Sequence, residues 1–419
     1  MSKETIVIVG TGWAGYTLSQ KLDEKKFDIT VISPEDTSPY TPLLASAACG
    51  LFDFSLAEEP VRHKSKKLTY HKARVEDVDF GRKVCKCRSA CDVLGGESRV
   101  FEIKYDRLIL APGCVTNTSH TPGADEHAFF VRNVADAKRV QHRLKQLLEL
   151  ASMPGVSETE QRGLLHIIIV GGGPTGVELA AEMSDLFHDD FSVLYPHLAG
   201  KMSLSIHDAA PFILGAFEDA LRQHSLKSFS KRHVRVLTGS KIKSVEADGI
   251  TTETEGRIPC GMVLWTAGNQ QCPLTEKLQT AKTDKLPRIL TDEYLHALTP
   301  KPDQQPISSV YALGDAADIK KHFLPTTAEV ATQKAEYLAK TLNSGTDGEK
   351  PFKYQQRALV AYLGGHDGVV HGRPEWSGPR AWAAWRSKNL LWTRSWRRRG
   401  MIAVYWLLDW VGGKAIARA

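Results

Sequence analysis

No stretch of the 419-residue chain approaches the ~20 consecutive apolar residues that span a bilayer. The longest candidate, 401–411, is short and is interrupted by Asp409, so no transmembrane helix is expected. Cysteine is sparse and odd in number, at seven. A scattered odd set in so long a chain does not make a disulfide framework, and a reducing compartment is the default. Cys85, Cys87 and Cys91 cluster, but C-x-C-x3-C lacks the paired C-x-x-C spacing of zinc sites. They read as a surface hairpin, and no metal is expected. A leader is not evident either: the first apolar run starts at Thr5, and no secretory or mitochondrial signal precedes it. Finally, tryptophan and net charge are nearly missing from most of the chain. Residues 373–419 hold seven of the nine Trp and ten Lys/Arg against two Asp/Glu, leaving 44 basic and 46 acidic side chains for the other 372 residues.

What is present begins at once. Ile6-Val7-Ile8-Val9 is a β-branched run of the kind buried on both faces of a sheet. It leads into Gly10-Thr11-Gly12-Trp13-Ala14-Gly15, then a helical pattern (Leu18, Leu22) and a second strand, Ile29–Ile32. Strand, G-x-G-x-x-G, helix, strand within about thirty residues is the context a dinucleotide-binding turn requires. Gly10 permits the tight turn, Gly12 lets backbone N–H groups approach a pyrophosphate, and Gly15 allows close helix–strand packing, with the helix N-terminus favouring negative charge. The second strand ends in Ser33-Pro34 rather than an acid, so either Ser33 or Glu35 is expected to take the adenosine ribose.

The pattern recurs 161 residues on. His166–Val170 runs into Gly171-Gly172-Gly173-Pro174-Thr175-Gly176-Val177-Glu178, with glycines 171, 173 and 176 at the same spacing. A strand over 202–206 follows, ending at His207-Asp208. The Asp208 carboxylate is placed to accept from the 2′- and 3′-hydroxyls of a ribose and to repel a 2′-phosphate, favouring NADH over NADPH. The alternative is that it caps a turn. Two cradles suit one resident flavin and one visiting nicotinamide. Segments 106–113 (Ala111, Gly113), 260–268 (Gly268) and 310–317 each run a strand into a small-residue turn, the last with Asp315 after Gly314, placed to bind a ribityl hydroxyl. Hydride transfer itself needs positioning at about 3–3.5 Å and no protein acid or base. Only Cys49 occurs in 42–50, so the redox-active cysteine pair of disulfide reductases is missing.

The order of these segments resembles the two-dinucleotide-binding-domain flavoproteins, and among them the type II NADH dehydrogenases, the non-proton-pumping NADH:quinone oxidoreductases, especially fungal and plant forms. The resemblance runs through Tyr40–Leu44, Pro122–Val134, Gly171–Glu178, Pro325–Gln333 with Ala335–Ala339, Phe352–Tyr354, Ala361–Gly364 and Ser395–Trp406. It implies an α/β fold with two Rossmann-like domains and a C-terminal membrane-associating helical segment. The expected division is a discontinuous FAD-binding domain (1–135 and 281–350), an NADH-binding domain (136–280) and a membrane-anchoring or dimerisation region (351–419). It further implies that Gly10, Gly12, Trp13, Ala14, Gly15, Ser33, Thr41, Leu43, Leu44, Ala111, Gly113, Gly314, Asp315 and Ala328 hold FAD, with Val75 near the adenine through its backbone. Gly171, Gly173, Thr175, Gly176, Asp208 and Gly268 would line the NADH site. Glu178 would orient the carboxamide, or else be a first-turn acid complementing the helix dipole. The family carries two Gln one turn apart beside the flavin; here Glu329 replaces the first and Gln333 remains, sharing a helix face at i and i+4. A carboxylate there would deliver a proton to reduced quinone or mark an altered acceptor.

In the tail, Trp376, Trp382, Trp385, Trp392, Trp396, Trp406 and Trp410 interleave with Arg380, Arg386, Lys388, Arg394 and Arg397–Arg399. Trp prefers the bilayer interface, and each Lys/Arg near anionic headgroups contributes about 1 kcal/mol. This reads as a monotopic anchor giving access to a membrane quinone, with a homodimer interface as the alternative; nucleic acid is discounted. The resemblance places the protein on the mitochondrial inner membrane. The rival functions are a soluble NADH reductase or oxidase with a diffusible acceptor and a redox-sensing scaffold without turnover.

Overall fold

The computed structural model describes residues 3–62, 67–91, 98–372, 374–414 and 416; Arg373 and Arg418 of the basic tail lie outside them. The chain packs as two compact units, one of 1–38, 59–115 and 269–356, the other of 39–58, 116–268 and 357–419. Residues 116–135 join the second unit because Phe129 forms a parallel bridge with Leu264. The tail joins it because its strand Leu359–Gly364 lies against helix Pro174–Asp185.

The first unit is built on a ten-stranded sheet. Its first strand, Glu4–Val9, lies parallel between Phe27–Ser33 and Arg107–Leu110, and Pro306–Ala312 continues the parallel order. Ile6, Val7 and Ile8 are wholly buried because both faces are covered, which explains the unbroken apolar run. Helices Trp13–Lys21 and Ala328–Ser344 cover one face through Leu18, Leu22, Ala335 and Leu338. On the other face, the antiparallel strands Thr69–Asp79 and Val84–Ser89 bring Val75, Cys85 and Cys87 against Val7, Val9 and Leu110. The cysteine cluster is therefore no surface hairpin. Alternation sends Cys85 and Cys87 into the core as buried free thiols, and only Cys91 is exposed.

A charged cluster ties Glu4 and Arg107, each at the start of its strand, to Tyr311, His296 and Asp347. Arg107 Nε donates to Glu4 (2.8 Å) and its Nη1 to the Tyr311 hydroxyl (2.9 Å), while Tyr311 donates to Asp347. His296 reaches Asp292 (3.1 Å) and Asp347 (3.4 Å). Burial alone would lower the His296 pKa, but hydrogen bonds to the two carboxylates win and raise it to about 9. A His raised in the folded state contributes stability that is complete below its unfolded value near 6.5 and lost as pH rises through about 9. His296→Gln should therefore lower stability by about 2 kcal/mol at pH 6 and leave it little changed at pH 10. Thermal melts of both proteins across that range check this; a constant gap would refute it.

The second unit holds a four-stranded parallel sheet, in the order Val234–Thr238, Ser203–Asp208, His166–Val170, Met262–Trp265. Three antiparallel strands spanning 242–259 pack Val245 and Ile250 against its Ile168 and Val263. Helix Pro174–Asp185 runs on into a π-helical turn, Leu186–Phe191. At the junction Asp185 accepts from Arg232, the Tyr362 hydroxyl and the Gly365 N–H, fastening the hairpin Leu359–Gly364/Asp367–His371. Helices Pro379–Trp392 and Trp396–Gly412 close the chain.

Candidate functional site

In the first unit the turn 10–15 is a cradle shaped by sterics. Gly10 has φ +99° and donates to Ile32 O; a Cβ on it would lie 2.2 Å from Ala111 O. A Cβ on Gly15 would lie 2.0 Å from Gly10 O, so Gly15 seats the helix on the strand. Gly12 is different: no atom lies within 4 Å of a Cβ built there. It is also the N-cap of Trp13–Lys21, offers no side-chain cap, and no acid stands in the first turn. Space and helix-end N–H groups are thus left for an anion. Ala14 packs beneath Gly314, whose own turn has φ +71°. Asp315 stands in the short 3-10 turn Gly314–Ala316 and accepts from Cys114 Sγ (3.4 Å). Ala111 is buried and Gly113 has φ +73°.

Ser33 is buried, its hydroxyl 2.9 Å from that of Thr11 and accepting from Glu35 N–H. Glu35 is exposed, so of the two ribose candidates it is the one with a carboxylate turned to solvent. Val75 lies past Ser33–Lys72, the last pair of the Phe27–Ser33/Thr69–Asp79 ladder, beside a register shift. Helix Ala328–Ser344 starts at Ala328, with Thr327 capping Val330 N–H. Glu329 and Gln333 share a face and are bonded to each other, Gln333 Nε2 donating to Glu329 Oε1 at 2.6 Å. The Gln333 amide also pairs with the Gln355 backbone (2.9 and 3.0 Å). One position on, Lys334 is 1% exposed and its pKa is lowered to about 8 by burial.

The second unit repeats the cradle. Gly171 has φ +111°, a Cβ on Gly176 would lie 2.0 Å from Gly171 O, and Gly173 again has open space and caps its helix without a side chain. Thr175 is exposed in the first turn, and Gly268 has φ +75° beside Asn117 O. Asp208, at the end of its strand, accepts from Gly172 N–H (2.6 Å) and Ala210 N–H (2.7 Å). It thus caps a turn and braces the glycine loop, while its partly exposed carboxylate keeps acceptor capacity for hydroxyls. Thr41 is exposed, and Leu43 and Leu44 are about 1% exposed at the start of the short helix Leu44–Ala48; all three belong to this unit.

Glu178 is not a first-turn acid: it stands one turn further in, and the first turn has none. Its carboxylate accepts from Trp385 Nε1 at 2.8 Å. Burial raises its pKa to about 8, opposed by bonds from Trp385 and the Tyr362 backbone and reinforced by the charge of Glu182. Trp385, 5% exposed and stacked on Tyr362 at 4.8 Å, is therefore a core residue and not one of the membrane-facing indoles that the sequence pattern suggested. Arg386 is likewise turned inward, 5.1 Å from Trp382 and 4.2 Å from Trp406.

Residues 4–335 match the family model described as pyridine nucleotide-disulphide oxidoreductase. A probable NADH dehydrogenase of Dictyostelium discoideum is 31% identical over 100% of this chain and 92% of its own. The chain belongs to the pyridine nucleotide-disulphide oxidoreductases, and within them to the type II NADH dehydrogenases. An internal alternative NAD(P)H-ubiquinone oxidoreductase A1, mitochondrial, of Solanum tuberosum is 30% identical across 99% of this chain and 88% of that one. In fold, NDH2 from Plasmodium falciparum in complex with NADH aligns with a TM-score of 0.90 at 23% identity, covering 99% of this chain and 100% of that one. Sequence spacing found both cradles of this family fold. It missed Trp385 as the partner of Glu178, and the buried Lys334 and Glu182, because nothing in a local pattern tells a buried charge from a solvated one.

Proposed function

We propose that the chain oxidises NADH through FAD and passes two electrons to a membrane quinone without pumping protons. The observation that carries this is the pair of cradles, each with an open glycine at an uncapped helix start. When bound, FAD supplies hydride acceptance from NADH and onward electron transfer. The first cradle, with Gly10, Gly12, Trp13, Ala14, Gly15, Ala111, Gly113, Gly314, Asp315, Ala328 and the backbone of Val75, holds FAD, its ribose on Glu35 or Ser33; Thr41, Leu43 and Leu44 serve the flavin half. The second, with Gly171, Gly173, Thr175, Gly176, Asp208 and Gly268, holds NADH. Glu178 orients the carboxamide, while Glu329 and Gln333 face the acceptor. In domain terms, 1–135 with 281–350 bind FAD, 136–280 bind NADH, and 351–419 anchor the protein.

The closing helix supports a peripheral, monotopic seat on the mitochondrial inner membrane. Arg398 and Asp409 turn inward with Ile402, Arg397 and Arg399 are exposed, and Trp396, Val404, Leu407, Trp410 and Val411 are more than half exposed. Among the described residues no helix is long and apolar enough to cross a membrane. The relatives named as mitochondrial ubiquinone oxidoreductases support both the acceptor and the location.

The test is direct. Purified protein should be yellow, and NADH oxidation should rise at least tenfold on adding a short-chain quinone. Colourless protein, or oxidation indifferent to quinone, would overturn the proposal; the latter result is what the diffusible-acceptor reading, favoured by Glu329, requires. Asp208→Asn should raise the KM for NADH about tenfold through loss of a charge-assisted bond and shrink the preference over NADPH. Steady-state kinetics with both nucleotides read this, and an unchanged preference counts against Asp208 as the ribose ligand.

A further inference from the structure

Helix Pro174–Asp185 carries Glu178, Glu182 and Asp185 on one face, at i, i+4 and i+7. Asp185 is matched by Arg232. Glu182 is only 3% exposed, and its cation comes from the far end of the chain: Lys414, 6% exposed, sets its Nζ 3.8 Å from Glu182 Oε2. Beyond the closing helix, Lys414 and Ile416 are both buried. Lys414 N–H donates to Asp190 Oδ1 (3.1 Å), and Ile416, 5% exposed, rests on Gly50 so closely that a Cβ there would lie 2.4 Å from the Ile416 Cβ. Two independent contacts, one polar and one apolar, thus seat Lys414 and Ile416 in the second unit.

We propose that Lys414 is a positioning residue for Glu178, acting through the buried ion pair it makes with Glu182 one helical turn away. The proposal rests on the reading that Glu178 serves the NADH site. Around Glu182 stand Ser46, which donates to Oε1 at 2.6 Å, and Cys49 of the same short segment; Asp185 on its own helix; Asp409 and Arg386 of the two closing helices; and Lys414. Around Glu178 stand Trp385 and Lys388 of helix Pro379–Trp392, the Tyr362 backbone, and Glu182. Burial disfavours the charged form of both acids, and two neighbouring carboxylates, Asp185 and Asp409, add to that at Glu182. A buried carboxylate stays charged only when a cation and donors answer it, and here Lys414 and Ser46 do so. Remove Lys414 and Glu182 takes up a proton; the negative charge beside Glu178 then vanishes, and Glu178 releases its own proton more readily. Lys414, beyond the closing helix, therefore adds to burial, the main cause, in biasing the protonation of a group on the nucleotide-binding helix.

The experiment compares the full-length flavoprotein with Lys414→Met, Lys414→Arg, Glu182→Gln and the double variant E182Q/K414M. The primary readout is infrared titration of the protonated-carboxyl stretch, with Glu178→Gln identifying the Glu178 band. Its midpoint, near pH 8 in the native chain, should fall by about one unit in K414M, E182Q and the double variant alike, and stay in place in K414R. The neutral double variant removes the buried charge as a pair, so it should melt higher than either single one, which keeps the test alive if K414M folds poorly. Should the double variant and E182Q leave the midpoint where it is, Lys414 is a structural peg and the proposal fails. The pH profile of quinone reduction is recorded alongside. A band that shifts with no change in that profile upholds the coupling while overturning the NADH-site role of Glu178.

Discussion

Gly10→Ala should give protein that retains less than about a tenth of its flavin, because the new methyl meets a backbone carbonyl. The Cβ would lie 2.2 Å from Ala111 O at a φ of +99°, so neither a rotamer nor a side-chain shift relieves it. A non-glycine residue in that region costs about 1–2 kcal/mol before any clash is counted, and relief requires the strand 107–110 to part from the turn. Gly12→Ala makes the informative contrast. Its Cβ meets nothing within 4 Å, so melting of the flavin-free protein should be unchanged while flavin affinity falls about tenfold or more, the cost falling on close approach of the pyrophosphate. The same pairing of Gly171 with Gly173 should separate folding from NADH binding in the second unit. Flavin-to-protein absorbance ratios after gel filtration decide the first pair; a fully flavinated Gly10→Ala protein would show that this turn is not the cradle.

The second large effect concerns the closing helix. Leu407→Glu combined with Val411→Glu should reduce co-flotation with anionic liposomes at least about a hundredfold. Each substitution removes an apolar side chain worth about 1.5–3 kcal/mol when buried and adds a charge that anionic lipid repels. Both positions are more than half exposed, so the fold should be untouched. Unchanged flotation with a shift from dimer to monomer would instead assign this face to subunit pairing.

How far the sequence reached is clearest at particular residues. Both glycine cradles were legible because the turn, the close approach and the helix start are all local, set within six residues of chain. The strand ending at Asp208 followed from its place after the second glycine turn, and the helix carrying Glu329 and Gln333 from the family resemblance of 325–339. Long-range packing was not legible. The alternation of 84–89 shows that Cys85 and Cys87 share a face, but only the sheet behind them says that it is the buried one. Trp385 looked like its neighbouring indoles because composition does not record which side of a helix meets Tyr362. Glu178 and Glu182 looked like ordinary helix acids, since the residues that bury them lie about 180 to 230 positions away along the chain.

One consequence follows from Asp185, which grips the Leu359–Gly364 hairpin through Tyr362 and Gly365. The last sixty residues are no removable handle. A shortened version, cut to ease handling in detergent-free buffer, would expose the flank of the helix that follows the second glycine turn and leave an inward-facing carboxylate with Arg232 alone of its three donors. Engineering for solubility therefore belongs on the outward side chains of the closing helix, with the polypeptide kept whole.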